Sequence, residues 1–240
     1  MDTGFGDSVP ELVALGFTNI FIVYKVIRDM ADWIVFDFDG TLCLNRSGWT
    51  VLASLFGTET ESFRRKEAYF GGEISFDDRI EKDVRAWREC GVTKSDVERA
   101  SNAIKLMPGT ESLLRKIDES EYNFGVLSAG VADLTTKLQQ FDPAFVVGNE
   151  LRFEDGLLTD AETKVSATSK TDWLAELGAE YDFEPSEITY VGDSNTDIQA
   201  FEMVDRAILF NPDPALDPAD YKAADVVKKS TDLSELEREL

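Results

Sequence analysis

Asp32-Trp33-Ile34-Val35-Phe36-Asp37-Phe38-Asp39-Gly40-Thr41 is the stretch whose reading decides the fold. Its first five residues read as a buried strand. Residues two apart on a strand project to the same side, so the Asp37 and Asp39 carboxylates converge where the strand ends. Gly40 then lets the chain turn away. Two acids at the carboxyl end of an apolar strand stand where open α/β sheets place their ligands. Such a pair needs a counter-charge, and Mg²⁺ is the usual one. Taken alone the stretch is also compatible with an ordinary strand-end turn, since Asp-Gly is a common turn dipeptide.

Outward from this stretch, strands and helices alternate. Phe124-Gly125-Val126-Leu127 reads as a second buried strand ending in Ser128-Ala129-Gly130, and Phe145-Val146-Val147 as a third. A helix is expected from Asp133 to Gln140, and a hairpin around Glu154-Asp155-Gly156. Ser169, with Asp172 three residues on, predicts a capped helix ending near Gly178. Ile188-Thr189-Tyr190-Val191 is a strand leading into Gly192-Asp193-Ser194-Asn195-Thr196-Asp197, and two short strands (207–210 and 224–227) and a charged helix (232–240) close the chain. The alternation predicts an α/β fold with a doubly wound parallel sheet.

Residues 42–107 interrupt that pattern and read as helices without a strand. Ser75 with Asp78 is a capping box, and Phe76, Ile80, Val84 and Trp87 follow on one helical face. A second helix is expected from about Ser95 to Leu106, with Val97, Ala100 and Ile104 inward, before Pro108-Gly109 closes the segment. The expected organisation is a core of residues 30–41 and 108–240, with a small helical unit at 42–107. Residues 1–29 are expected to lie outside this domain, as an over-extended start or an interfacial helix. Leu12 to Ile27 is too short and too broken for a membrane span.

Composition narrows the chemistry. Among 240 residues, 24 Lys and Arg face 47 Asp and Glu, a net charge of −23. That argues against nucleic acid or an anionic membrane as partner. The acids are spread along the chain, as in a halophile's cytoplasmic protein. There is no histidine, which removes imidazole bases and His-ligated zinc. Cys43 and Cys90 form no CxxC, which suits a reducing cytoplasm, and neither has an Arg six residues later to make a cysteine-phosphatase loop. No Walker-A or G-x-S-x-G pattern occurs.

Four elements thus end in polar groups that a parallel sheet brings to one edge: Asp37 with Asp39, Ser128, Lys170, and Asp193 with Asp197. In this order they resemble the haloacid-dehalogenase superfamily phosphatases, and within them the phosphoserine phosphatases. The resemblance runs from Met30 to about Val227 and rests on Asp37-Phe38-Asp39-Gly40-Thr41, Val126-Leu127-Ser128-Ala129-Gly130, Ser169-Lys170 and Val191 to Asp197. It implies a Rossmann-like core with the helical segment as cap, and a Mg²⁺-dependent hydrolysis of a small-molecule phosphomonoester. It further implies Asp37 as nucleophile and Asp39 as acid and base. Mg²⁺ would be bound by the Asp37 and Asp193 carboxylates and the Asp39 carbonyl. Ser128 and the Ala129 amide would hold phosphate, Lys170 would supply positive charge (Lys164 is a rival), and Asp197 would orient a metal-bound water or hold Lys170.

The resemblance thins at the residues that choose a substrate. Arg46 stands where phosphoserine phosphatases carry a Glu for the substrate amine, and the cap position expected to hold an Arg is Asp83, with Arg79 and Arg85 nearby. Arg46 is therefore read as a specificity residue favouring an anionic substrate part, or else as a solvated loop residue. Phosphoserine is therefore not expected to be the best substrate. Phosphoserine phosphatase proper, and a non-catalytic phosphate-binding regulator, are the alternatives. The sequence does not speak to oligomeric state.

Overall fold

The computed structural model describes residues 32–240, so the expectation for residues 1–29 lies outside the described residues. The first element of the described residues is β1 (Trp33–Phe36). Four helices follow: α1 (Gly48–Leu55), α2 (Glu59–Phe70), α3 (Phe76–Glu89) and α4 (Lys94–Ala103). Next come α5 (Thr110–Asp118), β2 (Asn123–Val131), β3 (Phe145–Glu154), β4 (Leu157–Glu162), α6 (Lys170–Tyr181), β5 (Thr189–Gly192), α7 (Ile198–Phe201), β6 (Arg206–Phe210) and β7 (Val226–Lys228). The seven strands form one sheet in the order β4-β3-β2-β1-β5-β6-β7, parallel except for the β3–β4 hairpin. β1 lies at the middle, between β2 and β5, which is the switch point of a doubly wound sheet.

β1 is buried on both faces, and the two-residue period of a strand divides it between two cores. Ile34 and Phe36 join the cluster that contains Trp49, Leu52, Ile80 and Trp87 of the inserted helices and Leu113 of α5. Trp33 and Val35 join the opposite cluster, with Leu174 and Leu177 of α6 and Phe201 of α7. Trp49 and Trp87 stack at 5.9 Å inside the first core. The α3–α4 connection is tied to the hairpin: Lys94 N donates to Gly156 O at 2.9 Å and Leu158 N to Val92 O at 3.0 Å.

Local chemistry explains where helices start and stop. The Ser75–Asp78 box is formed, with Asp78 N donating to Ser75 Oγ at 3.0 Å and Ser75 N to Asp78 Oδ2 at 3.2 Å. Thr93 and Asp96 make a second box, which starts α4 one residue before the expected Ser95, and the helix stops at Ala103 with Ile104 as its cap. The helix expected from Asp133 to Gln140 is instead two 3₁₀ turns, Ala132–Leu134 and Thr136–Phe141. Thr135 breaks it by donating its hydroxyl back to Ala132 O at 2.8 Å. Ser169 precedes α6 but caps nothing, because its Oγ accepts from Ser166 N at 2.8 Å. Gly178 lies inside α6 rather than at its end. The helix runs on to Asp182, which takes the left-handed conformation at φ 60°, and Gly178 is where Phe183 closes over the helix. The last segment is also 3₁₀, Leu233–Arg238, which brings Leu233 and Leu236 inward at a spacing of three. No helix among the described residues is long and apolar enough to cross a membrane.

Candidate active site

The carboxyl end of β1 leads straight into the site. Asp37 N donates to Val191 O at 2.8 Å, which continues the ladder onto β5 and fixes where the Asp37 side chain points. Gly40 adopts φ 79°, and a Cβ there would meet Asp193 Oδ2 at 2.1 Å, so a side chain at this turn would push Asp193 away. Asp193 itself follows the end of β5, one strand over.

Lys170, buried at 1% exposure, lies under these acids. Its ammonium donates to Asp37 Oδ1 at 2.9 Å and to Asp197 Oδ1 at 2.6 Å. Burial alone would push the ammonium down, but Asp197 and Asp37 hold it well above its ordinary range. The rival, Lys164, is elsewhere: its ammonium donates to Glu150 Oε1 at 2.5 Å. Asp197 is fully engaged. Its Oδ1 also accepts from the Tyr190 hydroxyl at 3.0 Å, and its Oδ2 accepts from Asp193 N, Ser194 N and Ser194 Oγ at 3.0 to 3.2 Å. This places Asp197 as the partner of Lys170 and of the loop after β5.

Asp37, Asp39 and Asp193 are each shifted upward. Burial pushes the Asp37 carboxyl up to about 6, with Lys170 opposing and Asp197 adding to the rise. Asp39 is pushed up to about 7, first by burial and then by the charge of Asp37. Its Oδ2 accepts from Gly48 N at 2.9 Å, the first residue of α1, so the helix that follows the turn holds this carboxyl in place. Asp193 is raised well above the ordinary carboxylate range by burial and by Asp197 and Asp37, with Arg46 opposing. Ligand oxygens of Asp37, Asp193 and Asp197 all lie within 4.8 Å of one another. Hard oxygen donors in this number suit a divalent cation such as Mg²⁺. Asp197 already accepts five hydrogen bonds, whereas Oδ1 of Asp193 lies outside its bond to Arg46.

Ser128 stands beside Asp37, its hydroxyl hydrogen-bonded to that carboxyl, and its Oγ accepts from Gly130 N at 3.2 Å. The Ser128–Gly130 segment falls inside β2, which is longer than the sequence suggests. One residue that sequence reasoning missed holds the segment: buried Asn149. Its Nδ2 donates to Ala129 O at 2.9 Å, Gly130 O at 3.2 Å and Val165 O at 2.9 Å, and its Oδ1 accepts from Lys164 N and Val165 N. The one signal in sequence was an amide residue two positions past the apolar run Phe145-Val146-Val147. Trp49 Nε1 also donates to Ala129 O, at 3.1 Å.

Arg46 lines the cleft, but its guanidinium is engaged. Nη1 donates to Asp193 Oδ2 at 2.5 Å, and Nη2 to Asn211 O at 2.9 Å and Asn211 Oδ1 at 3.0 Å. The cleft has a volume of about 370 Å³. Asp37, Asp39 and Ser128 form part of its wall, and the inserted helices contribute Trp49, Lys66, Glu67, Tyr69 and Arg79. Arg79 is buried, its Nε has no hydrogen-bond partner among the described residues, and it lies 3.8 Å from Asp83 Oδ2. Asp83 is taken by Arg65 at 2.7 Å and Ser62 at 3.1 Å, while Arg85 is exposed and pairs with Glu89.

A family model described as haloacid dehalogenase-like hydrolase matches residues 34–202. A phosphoserine phosphatase of Archaeoglobus fulgidus is 31% identical over 206 residues, covering 84% of this chain and 58% of that protein. One from Streptomyces coelicolor is 26% identical over 219 residues, covering 90% of this chain and 53% of that protein. The chain spans about half the length of these curated relatives. A solved structure of a phospho-aspartyl intermediate analogue of phosphoserine phosphatase shares the fold, with a TM-score of 0.73 at 24% identity over 88% of this chain and 99% of that one.

Proposed function

The chain belongs to the haloacid dehalogenase-like hydrolase family, and from that premise we propose that it is a Mg²⁺-dependent phosphatase of a small phosphorylated metabolite. The observation that carries this reading is the placement of Asp37. It stands on a cleft floor with Lys170 on one oxygen, and Asp39, whose carboxyl is pushed up to about 7, shares the cleft wall.

Asp37 attacks phosphorus and the bond to the ester oxygen breaks, leaving an aspartyl-phosphate. Asp39 gives its proton to the departing oxygen. It then takes a proton from water, which attacks the aspartyl-phosphate, releases phosphate and restores Asp37. Ser128 and the Ala129 amide bind phosphate oxygens, and Lys170 keeps Asp37 ionised and oriented. The Asp37 and Asp193 carboxylates and the Asp39 carbonyl would hold Mg²⁺, which supplies charge neutralisation between the phosphate and the attacking carboxylate. We take residues 42–107 as the cap that covers the cleft, and 30–41 with 108–240 as the core. The dispersed acidity suits a cytoplasm rich in salt.

The substrate reading is a phosphomonoester other than phosphoserine. The position for an amine-binding carboxylate holds Arg46, so an ammonium there would meet a cation. Lys66 and Arg79 also line the cleft and add positive charge. A second reading, phosphoserine itself, draws on Glu67 and Arg79, which could take an ammonium and a carboxylate. Hydrolysis of p-nitrophenyl phosphate with Mg²⁺ in molar KCl, with Asp37→Asn as control, tests the reaction; equal rates in both proteins would sink it and favour a non-catalytic phosphate binder. A panel of sugar, polyol and nucleotide phosphates against phosphoserine tests the substrate, and a clear preference for phosphoserine overturns the first reading.

A further inference from the structure

We propose that Arg46 is a latch on the metal site: its guanidinium occupies Asp193 and competes with the divalent cation for that carboxylate. The inference rests on the Mg²⁺ reading given above. Arg46 also lines the cleft, so the latch adds to the expectation that it bears on the substrate.

The geometry divides the guanidinium into an anchor and a contact. Nη2 is the anchor, donating to Asn211 O, Asn211 Oδ1 and, at 3.4 Å, Pro212 O. Asn211 is itself fixed, because its Nδ2 donates to Gly40 O at 3.1 Å, and it sits in the left-handed region at φ 48°. Nη1 is the contact, 2.5 Å from Asp193 Oδ2. The loop that carries Arg46 is pinned from the other side by Gly40 N, which donates to Asn45 O at 2.8 Å. The arm is therefore aimed at Asp193 by bonds that do not involve Asp193.

Charge explains what the contact does. Asp37, Asp193 and Asp197 bring three carboxylates together, and Lys170 is paired with only Asp37 and Asp197. Asp193 has Arg46 as its cation, and the buried carboxylate would otherwise stand beside two others with no partner of its own. A divalent cation arriving at Asp193 meets a carboxylate already neutralised by a fixed positive group. Oδ1 lies outside the Arg46 bond, but a cation that takes the whole carboxylate draws on the fraction of molecules in which Arg46 has let go, and its apparent dissociation constant rises by the inverse of that fraction. A latch closed nine-tenths of the time weakens metal binding about tenfold.

Calorimetric titration of Mg²⁺ into the metal-stripped full chain tests this, with wild type, Arg46→Gln and Arg46→Lys. The expected result is a dissociation constant about tenfold smaller for Arg46→Gln. Arg46→Lys should fall between, since a point charge cannot span Asp193 and Asn211 together. Melting in EDTA reports folding separately: Arg46→Gln should melt lower than wild type without metal and regain more on adding Mg²⁺. Unchanged or weaker Mg²⁺ binding in a folded Arg46→Gln protein overturns the latch. If Arg46→Gln does not fold, Arg46→Lys carries the test, and binding equal to or weaker than wild type overturns it. No Mg²⁺ binding by either wild type or variant overturns the metal reading itself, an outcome distinct from equal binding by both.

Discussion

Replacing Asp39 by Asn should make the protein more stable at alkaline pH and far less active. Asp39 is pushed from 3.8 to about 7 by burial and by the charge of Asp37. A carboxyl with a raised value in the folded state holds its proton more tightly there than in the unfolded chain. Its contribution to stability is full below about pH 4 and is lost as the pH rises through 7. The whole span, roughly three pH units, corresponds to about 4 kcal/mol, an upper bound because the group borders the cleft. Asn does not titrate, and its amide oxygen can still accept from Gly48 N. Between pH 5 and pH 8 the variant should therefore gain about 3 kcal/mol on wild type. Urea unfolding in EDTA reads this as a shift of about 1 M in relative midpoint. Turnover of p-nitrophenyl phosphate should fall by about 10²–10⁴, the usual worth of a general acid and base. A stability gap that is the same at both pH values would refute the electrostatic account of Asp39, whatever the activity does.

Two further substitutions probe the same cluster. Lys170→Met removes the cation shared by Asp37 and Asp197 and should cost about 3–5 kcal/mol at pH 8, measured by urea unfolding, because two buried carboxylates lose their partner. The loss should shrink at pH 5, where Asp37 can take up a proton. Gly40→Ala places a methyl 2.1 Å from Asp193 Oδ2 on a backbone at φ 79°, and should destabilise by about 1–3 kcal/mol and weaken Mg²⁺ binding in calorimetry.

What could be read from sequence was whatever depends on near neighbours. The apolar run before Asp37, with its two-residue period, is enough to set β1 and to bring both carboxylates to its end. The Ser75–Asp78 box is local chemistry, and it formed. Asp193 could be placed because it follows a strand whose end is fixed by the sheet. What could not be read depends on partners far along the chain. Lys164 and Lys170 are alike in sequence; Glu150 draws one away and Asp37, 133 residues from Lys170, draws the other in. Ser169 resembles a cap until Ser166 takes its hydroxyl. Asn149 carries no motif, yet it links Ala129 and Gly130 to Val165. Arg46 could be read only as charge, because its partners, Asp193 and Asn211, are 147 and 165 residues away.

The site holds four aspartates that a charge count treats as equal, and their neighbours make them unequal. Asp197 accepts from Lys170, Tyr190, Asp193 N and Ser194, so no oxygen is left for chemistry and it serves as scaffold. Asp37 shares Lys170 with it and has Ser128 alongside, which keeps one carboxylate ionised and aimed. Asp39 accepts from Gly48 N, and burial and the charge of Asp37 push its carboxyl up, with Gly48 and Lys170 opposing. Asp193 pairs with Arg46 through one oxygen, with the other oxygen outside that bond. A nucleophile must be ionised while a general acid is protonated at the same pH, and adjacent residues of one type can meet both demands only if their partners differ. In this chain Lys170 donates directly to Asp37 while Asp39 accepts from the Gly48 N–H, and the proposed division between Asp37 as nucleophile and Asp39 as proton carrier draws on that difference in partners.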